Sequence, residues 1–306
     1  MKICITGGAG FIASNIADKY IELGHEVVII DNLSLGFIEN IPAGAKFYEM
    51  DINDENLIKV FEEEKFDIVN HHAAQMSVRN SVALPIEDAK TNILGGINIF
   101  DCAARTGVKK VIFASSAGTV YGEQLEFPCD ETHQNMPISP YGVAKFAEEK
   151  YLQYYSTVFG MNYIILRYTN VYGRRQNPKG EAGVIAIFAL KMLNGEETFL
   201  TGQGNITRDY VYIDDVVDAN ARALDLNLKG VFNIATGVEV DLHYIFDHLA
   251  NLTNYTQPKV LADYKIGEQM RSVCSSKKIT EATGWEPKMP LDKGLIETVK
   301  YYKTKL

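Results

Sequence analysis

The chain has 306 residues, 46% of them hydrophobic and 23% charged, with four cysteines and a formal net charge of −9. That is enough chain for one large core or two smaller ones, so folding needs neither disulfides nor a structural metal. The acidic balance argues against a nucleic-acid surface and would repel an anionic ligand, so any anion site has to be built locally.

In chain order, "KICIT" (2–6) reads as a short strand, and a glycine-rich turn follows it. "FIASNIADKYIELG" (11–24) then shows helical spacing with a terminal glycine, and "EVVIID" (26–31) a second buried strand. In the turn, Gly7 and Gly10 would let backbone N–H groups and a helix N-terminus meet a pyrophosphate, and Ala13 still permits close helix–strand packing. Asp31 ends the second strand about 20 residues on, where a carboxylate accepts hydrogen bonds from an adenosine ribose and repels a 2′-phosphate, so NAD is expected over NADP. Asp31-Asn32 is otherwise a strand-ending turn. Asp51-Ile52 closes the third strand, "KFYEM", where a carboxylate reaches an adenine amino group or simply ends a strand.

Further strands are expected at "DIVNHH", "KKVIFASS" and "NYIILRY", with helices near 54–64, 85–106 and 140–159 between them. Strand–helix alternation predicts an α/β fold with a Rossmann-type, doubly wound parallel sheet. After about residue 170 the rhythm changes to a helix at 181–194, short polar strands and the turn-rich "TGQGNITRDY". The expected division is a cofactor-binding domain over 1–170 and a smaller α/β substrate domain over 171–306, with 214–236 packing back on the first sheet.

Ligands sit outside the carboxyl ends of such strands, where "VIFASS" ends in Ser115-Ser116. Beyond it, "SPYGVAK" sets Tyr141 and Lys145 four apart, a spacing that puts both on one helix face and would favour a phenolate. Tyr255/Lys259 and Tyr301/Lys305 repeat the spacing, but only Tyr141 has a strand-end hydroxyl and a dinucleotide loop expected nearby. Cys4, Cys102, Cys129 and Cys274 lack zinc-ligand spacing, so free thiols and no metal are expected. No window approaches the roughly 18–20 apolar residues of a membrane span, and "MKICITGGAG" has no basic-then-apolar leader, so the expectation is a cytoplasmic protein without membrane or nucleic-acid partners.

The motifs "TGGAGFIASN", "HHAAQMSV", "KTNILGGINI", "ASSAGTVYGE", "SPYGVAK", "LRYTNVYG", "RDYVYIDDV" and "TGWEPK" run over nearly the whole chain. Together they resemble the extended short-chain dehydrogenase/reductase family, and within it the UDP-glucose 4-epimerase (UDP-hexose 4-epimerase) type. That resemblance implies an isomerase that uses NAD and interconverts UDP-galactose and UDP-glucose, with the N-acetyl pair as an option, through a 4-keto sugar. Tyr141 would be the base, with its phenol brought down from a pKa near 10 by Lys145 and the positive nicotinamide. Lys145 would also hold the nicotinamide ribose, and Ser116, or else Ser115, would hydrogen-bond the sugar oxygen. The resemblance places Gly7, Gly10, Phe11, Ile12, Asp31, Asn32, Asp51, Ile52, Ala73, Ala74, Gln75, Asn92 and Tyr168 around the cofactor. It places Asn170, Val184, Arg208 and Arg271 on the substrate, with ion pairing to Asp209 or Asp214 as the bland role for Arg208 and core packing for Val184. It also implies a homodimer built on the helices at 85–106 and 139–160, whose apolar faces equally serve the sheet.

Departures from the family pattern fall in "KIGEQMRSV", where Lys265 stands for an arginine and Met270 takes the second arginine's place with Arg271 one residue later. Either the loop slips by one or diphosphate binding changes, because lysine is a point charge and not a bidentate fork. Ser272, Val273 and Cys274 nearby lean the sugar site toward an N-acetyl group. The alternatives are a 4,6-dehydratase, a UDP-glucuronate epimerase or decarboxylase, or a non-catalytic NAD-binding protein. Ala117-Gly118, where dehydratase relatives carry an acid, counts against elimination, and the intact Tyr141/Lys145 pair against a silent protein.

Overall fold

The computed structural model describes residues 1–178, 183–264 and 269–306. The chain alternates β1 (Lys2–Thr6), α1 (Phe11–Glu22), β2 (Glu26–Asp31), β3 (Lys46–Glu49), α2 (Leu57–Glu64) and β4 (Ile68–His71). It continues through α3 (Val78–Ala83), α4 (Pro85–Ala89), a π-helical turn (Lys90–Leu94), α5 (Gly95–Arg105), β5 (Lys110–Ser116), α6 (Ala117–Val120), α7 (Pro140–Phe159) and β6 (Asn162–Tyr168). Then come β7 (Asn170–Tyr172), α8 (Val184–Leu193), β8 (Phe199–Leu200), β9 (Thr207–Arg208), β10 (Tyr210–Tyr212), α9 (Ile213–Arg222) and β11 (Gly230–Ile234). The last elements are β12 (Val240–Asp241), α10 (Leu242–Thr253), β13 (Val260–Leu261), β14 (Arg271–Ser272), α11 (Lys277–Thr283) and α12 (Leu291–Lys303).

Seven strands form one sheet in the order β11-β6-β5-β4-β1-β2-β3, and every pairing in it is parallel. This is the doubly wound Rossmann-type arrangement that strand–helix alternation predicts. The apolar strands are buried on both faces because alternate side chains point opposite ways. Ile3, Ile5, Val27 and Ile29 join the core under α1 and α9, whereas Cys4, Val28 and Ile30 join the core under α2, α5 and α7. The order reverses between β1 and β4, so the loop after β1 and the chain leaving β4 flank one crevice.

Three smaller sheets hold the second half of the chain: β10-β7, β12-β9-β14 and β13-β8. Residues 214–236 supply α9, packed on α1, and β11, which pairs with β6 from Gly230↔Ile164 to Ile234↔Tyr168. Helix boundaries differ from the periodicity in physical detail. The helix expected from 54 starts at Leu57, because the Asp54 carboxylate accepts from the Asn56 amide at 2.8 Å and closes a turn first. The stretch 85–106 is interrupted by the π-helical turn, and the helix expected from 181 begins at Val184, with 181 and 182 outside the described residues. The strand expected to end at Asp51-Ile52 ends at Glu49.

The C-terminal "TGWEPK" is pinned to the sheet side of the molecule. Trp285 has no exposed surface and donates its indole N–H to the Asp215 carbonyl at 3.0 Å. The Asp215 carboxylate in turn accepts from the Lys288 and Met289 amides. Trp285→Ala is expected to destabilise the protein by about 3–5 kcal/mol in urea unfolding, through lost packing and a residual cavity.

Candidate active site

The crevice starts from glycines. Gly7 has φ 69°, and a Cβ there would meet the Ala73 nitrogen at 2.7 Å, so only a residue without one lets β1 and the chain after β4 come this close. Gly10 caps α1, whose first turn holds no acid and receives no side-chain cap, so its leading N–H groups remain for an anion. Phe11 and Ile12 form that turn, and Ala13 is buried against the sheet. This backbone-only cradle fits the pyrophosphate of a dinucleotide.

Asp31 is nearly buried at the end of β2 and braces the loop: its carboxylate accepts from Ala9 N at 3.0 Å and Leu33 N at 2.8 Å. Burial pushes its pKa up, against the pull of those two bonds. Asn32 donates to Asp51 at 2.7 Å, tying the ends of the second and third strands. Ile52 is buried under Gly95. Across the crevice, Ala73 and Ala74 are partly exposed. The next residue, Gln75, is held by Asn92, whose amide accepts from Gln75 N and donates to Gln75 O, both at 2.9 Å. Asn92 has no exposed surface and sits in the π-helical turn, so a residue that helix geometry disfavours is used to shape a neighbouring backbone.

Side-chain direction distinguishes the alternatives that the sequence leaves open. Ser115 points under the sheet and donates to Glu149 at 2.6 Å, so by strand alternation Ser116 faces the other way, beside its register partner Tyr168. Of the three Tyr/Lys pairs, Tyr255 donates to the Glu196 carbonyl while Lys259 pairs with Asp247. Tyr301 lies under the Lys305 ammonium near the C-terminus. Only Tyr141 opens α7 at the crevice, after Ser139 caps the Gly142 amide and Pro140 takes the first helical position.

The electrostatics of Tyr141 correct the expectation from spacing. The Lys145 ammonium lies 3.1 Å from Glu148 Oε2 and 4.7 Å above the Phe113 ring. Burial first, then the charges of Glu148 and Asp88, push the Tyr141 phenol well above its ordinary pKa. The protein alone therefore favours the neutral phenol. Behind Lys145, His71 and Glu148 have no exposed surface, with His71 Nε2 3.4 Å from Glu148 Oε1. Tyr168 stacks on His72, contacts its Nε2 at 3.2 Å and accepts from Asn220. Glu148, His71 and the Glu149–Arg167 pair are missed by motif reading. The signal for the two glutamates was their place three and four residues after Lys145, on the helix that carries Tyr141.

The substrate-side residues are only partly brought together. Asn170 starts β7, opposite Tyr210 on β10. Arg208 donates to the carbonyls of Gln269 and Thr207, both at 2.7 Å. Its expected acid partners are otherwise engaged: Asp209 accepts from Thr236 and Gly237, and Asp214 takes Arg174. Arg271 does not join Arg208. It stands opposite Thr207 in the register, while Arg208 stands opposite Ser272, and its guanidinium is held bidentately by Glu239 at 2.7 and 2.8 Å over the Phe127 ring. Neighbouring positions on a strand face opposite ways, so the two arginines do not converge. Val184 begins α8 and packs against the core. Ser272, Val273 and Cys274 are buried. Lys265 lies outside the described residues. All four cysteines are buried free thiols. No metal-ligand cluster and no helix long and apolar enough to cross a membrane occurs among the described residues.

The model of the NAD dependent epimerase/dehydratase family matches residues 3–235. A putative UDP-glucose 4-epimerase of Methanocaldococcus jannaschii is 42% identical over 98% of both chains. Among solved structures, a UDP-glucose 4-epimerase from Thermotoga maritima with UDP-glucose superposes at TM-score 0.97, with 45% identity over 100% of this chain and 99% of that one. The NAD complex of a UDP-glucose 4-epimerase from Thermus thermophilus superposes at TM-score 0.95, with 38% identity over the whole of both chains.

Burial holds His71 below the ordinary histidine range and His72 down at about 3. The unfolded chain takes up these protons below about pH 6.5 and the folded one does not, so stability falls as pH drops from about 6.5 toward 3. Urea unfolding across pH 7.5 to 5 should show this loss, and His72→Gln should reduce the slope by up to about 1.4 kcal/mol per pH unit. The comparison with that variant separates the effect from Asp31, Asp88 and Asp209, whose carboxyls burial raises and which act with the opposite sign.

Proposed function

The chain belongs to the NAD-dependent epimerase/dehydratase family and catalyses NAD-dependent 4-epimerisation of a UDP-hexose; we propose that the hexose pair is UDP-glucose and UDP-galactose, and that Tyr141, Lys145 and Ser116 carry the chemistry. The observation that carries this reading is that the Gly7 cradle and Ser116 follow or end the two parallel strands that flank β4, on one edge of the sheet, with α7, which begins at Pro140-Tyr141, packed on β5.

NAD, when bound, would supply a reversible hydride acceptor at that mouth. Gly7, Gly10 and the first turn of α1 would hold its pyrophosphate, with Phe11 and Ile12 as that turn. Asp31 would take the adenosine ribose, with Asn32, Asp51 and Ile52 around the adenine. Ala73, Ala74, Gln75, Asn92 and Tyr168 would border the nicotinamide half. Tyr141 removes the proton from the sugar's 4-hydroxyl and later returns one, Ser116 hydrogen-bonds the same oxygen, and Lys145 holds the nicotinamide ribose. Burial, Glu148 and Asp88 hold the Tyr141 pKa up, so a positive charge brought beside the phenol by a bound cofactor would favour proton removal. Asn170 and Arg208 hold the diphosphate, so the nucleotide stays anchored while the oxidised sugar turns. Arg271, held by Glu239 on the opposite face, stays out of this contact.

The two residues after Ser116 disfavour elimination. A Cβ at Gly118 would stand 3.9 Å from Ser116 Oγ, so a carboxylate there would reach the sugar oxygen, and Ala117-Gly118 offers none. We place cofactor binding in residues 1–170 with 214–236, and substrate binding mainly in the remainder. A homodimer through α3 to α5 and α7 is supported by exposed apolar residues there, among them Ile86, Leu94, Val143 and Val158. Four unpaired thiols support a reducing, cytoplasmic setting.

Product analysis by NMR after incubation with UDP-galactose, UDP-N-acetylglucosamine and UDP-glucuronate separately tests the reading. UDP-glucose from the first is expected, and a 4-keto-6-deoxy product would replace epimerase with dehydratase. Tyr141→Phe is expected to lower turnover by about 10²-fold or more with the fold intact, while Tyr255→Phe and Tyr301→Phe leave it near wild type. NAD should bind much more tightly than NADP, and Asp31→Ala should narrow that preference in fluorescence titrations while loosening the loop that Ala9 anchors.

A further inference from the structure

On α7, Tyr141, Lys145 and Glu148 follow one another at spacings of four and three, so they lie on one helical stripe directed at the sheet. Glu148 has no exposed surface, which is exceptional for a carboxylate. Neither of its oxygens makes a regular hydrogen bond: Oε2 has the Lys145 ammonium at 3.1 Å, and Oε1 has His71 Nε2 at 3.4 Å, a nitrogen that is itself without a hydrogen-bond partner. Space for the carboxylate is made by Gly96 on α5, where a Cβ would come within 2.5 Å of Oε1.

The tautomer of His71 is set by its other neighbour. Thr6 Oγ1 accepts the Ala73 amide at 3.2 Å and, also at 3.2 Å, the His72 amide, which it shares with the Thr6 carbonyl, so its oxygen already serves as an acceptor on two sides. Its own hydroxyl hydrogen must then be donated to His71 Nδ1, 2.6 Å away. That leaves the imidazole proton on Nε2, aimed at Glu148. His71 is therefore a neutral dipole directed at the carboxylate from behind, while Lys145 meets it from the crevice side.

We infer that Glu148 is a positioning residue for the reaction: its buried carboxylate, backed by the neutral His71, anchors the Lys145 ammonium and sets the electrostatic field at the Tyr141 phenol. The inference rests on Tyr141 being the base. Each element packed there contributes charge or none: α7 brings Lys145 and Glu148, β4 the neutral His71, the residue after it the neutral His72, and α4 brings Asp88. From β5 comes only the Phe113 ring, and Glu149 is neutralised by Arg167. Glu148 is thus the negative charge nearest in sequence to the reacting pair that does not have an arginine of its own. It opposes phenolate formation in the empty site, and its pairing with Lys145 keeps that ammonium in one place for the cofactor ribose.

Glu148→Gln keeps the shape and removes the charge. Without it the phenol loses a proton more readily, so the acidic limb of the pH profile of kcat/KM for UDP-galactose should move down by about one pH unit. A merely structural Glu148 would lower the melting temperature and leave the limb in place, and that result overturns the inference. If the variant does not fold, the wild-type protein still decides: ¹⁵N NMR of His71 at pH 7 should report the Nε2–H tautomer, and an Nδ1–H imidazole or an imidazolium overturns the inference. The two readings fail separately. Turnover surviving in Tyr141→Phe defeats Tyr141 as base, whereas an unmoved limb in Glu148→Gln beside an inactive Tyr141→Phe defeats the role of Glu148 alone.

Discussion

Two consecutive glutamates on one helix have no exposed surface, and the architecture around the crevice is arranged to keep them so. A buried carboxylate without a cation costs several kcal/mol, so α7 can lie on the sheet only where cations await it. Arg167 of β6 meets Glu149 through two bonds, at 2.9 and 2.6 Å, with Ser115 of β5 as a third donor. Lys145 meets Glu148 from the same helix. The Glu149 contacts hold the register of α7 against β5 and β6, and Tyr141 at the start of that helix inherits its position from them.

Charge is placed just as locally at the anion site. The protein carries a net charge of −9, yet its proposed ligands are phosphates. The cradle after β1 relies on backbone N–H groups and the α1 terminus. Arg208 is the cation proposed on the substrate side, and Arg271 pairs with Glu239. Local geometry, more than overall charge, makes anions welcome here.

Strand order explains why distant segments meet. Reversal between β1 and β4 opens the sheet at the Gly7 loop, and β5 continues from β4 so that Ser116 ends on the same edge. The polar groups beneath this edge are knitted together: Tyr168 takes Asn220, and Asn220 takes Asn70 through its side chain. A rigid floor of this kind lets the mouth present side chains without wandering.

Fold class was legible because strands buried on both faces must read as short apolar runs, and crossover helices between them force parallel pairing. The Gly7 turn and Asp31 were legible because their chemistry is local: a positive φ and a strand-end carboxylate within one βαβ unit. Periodicity alone could not separate Tyr141 from Tyr255 and Tyr301, since all three share a spacing with a lysine; their surroundings are set by tertiary packing. Packing likewise decided that Ser115 turns inward while Ser116 does not, that Arg271 is held by Glu239, and that Lys145 answers to Glu148 and leaves the Tyr141 phenol neutral. Sequence spacing specifies which side chains share a face, whereas the field at a buried group depends on every charge within a few ångströms. Most of those charges arrive from strands and helices remote along the chain.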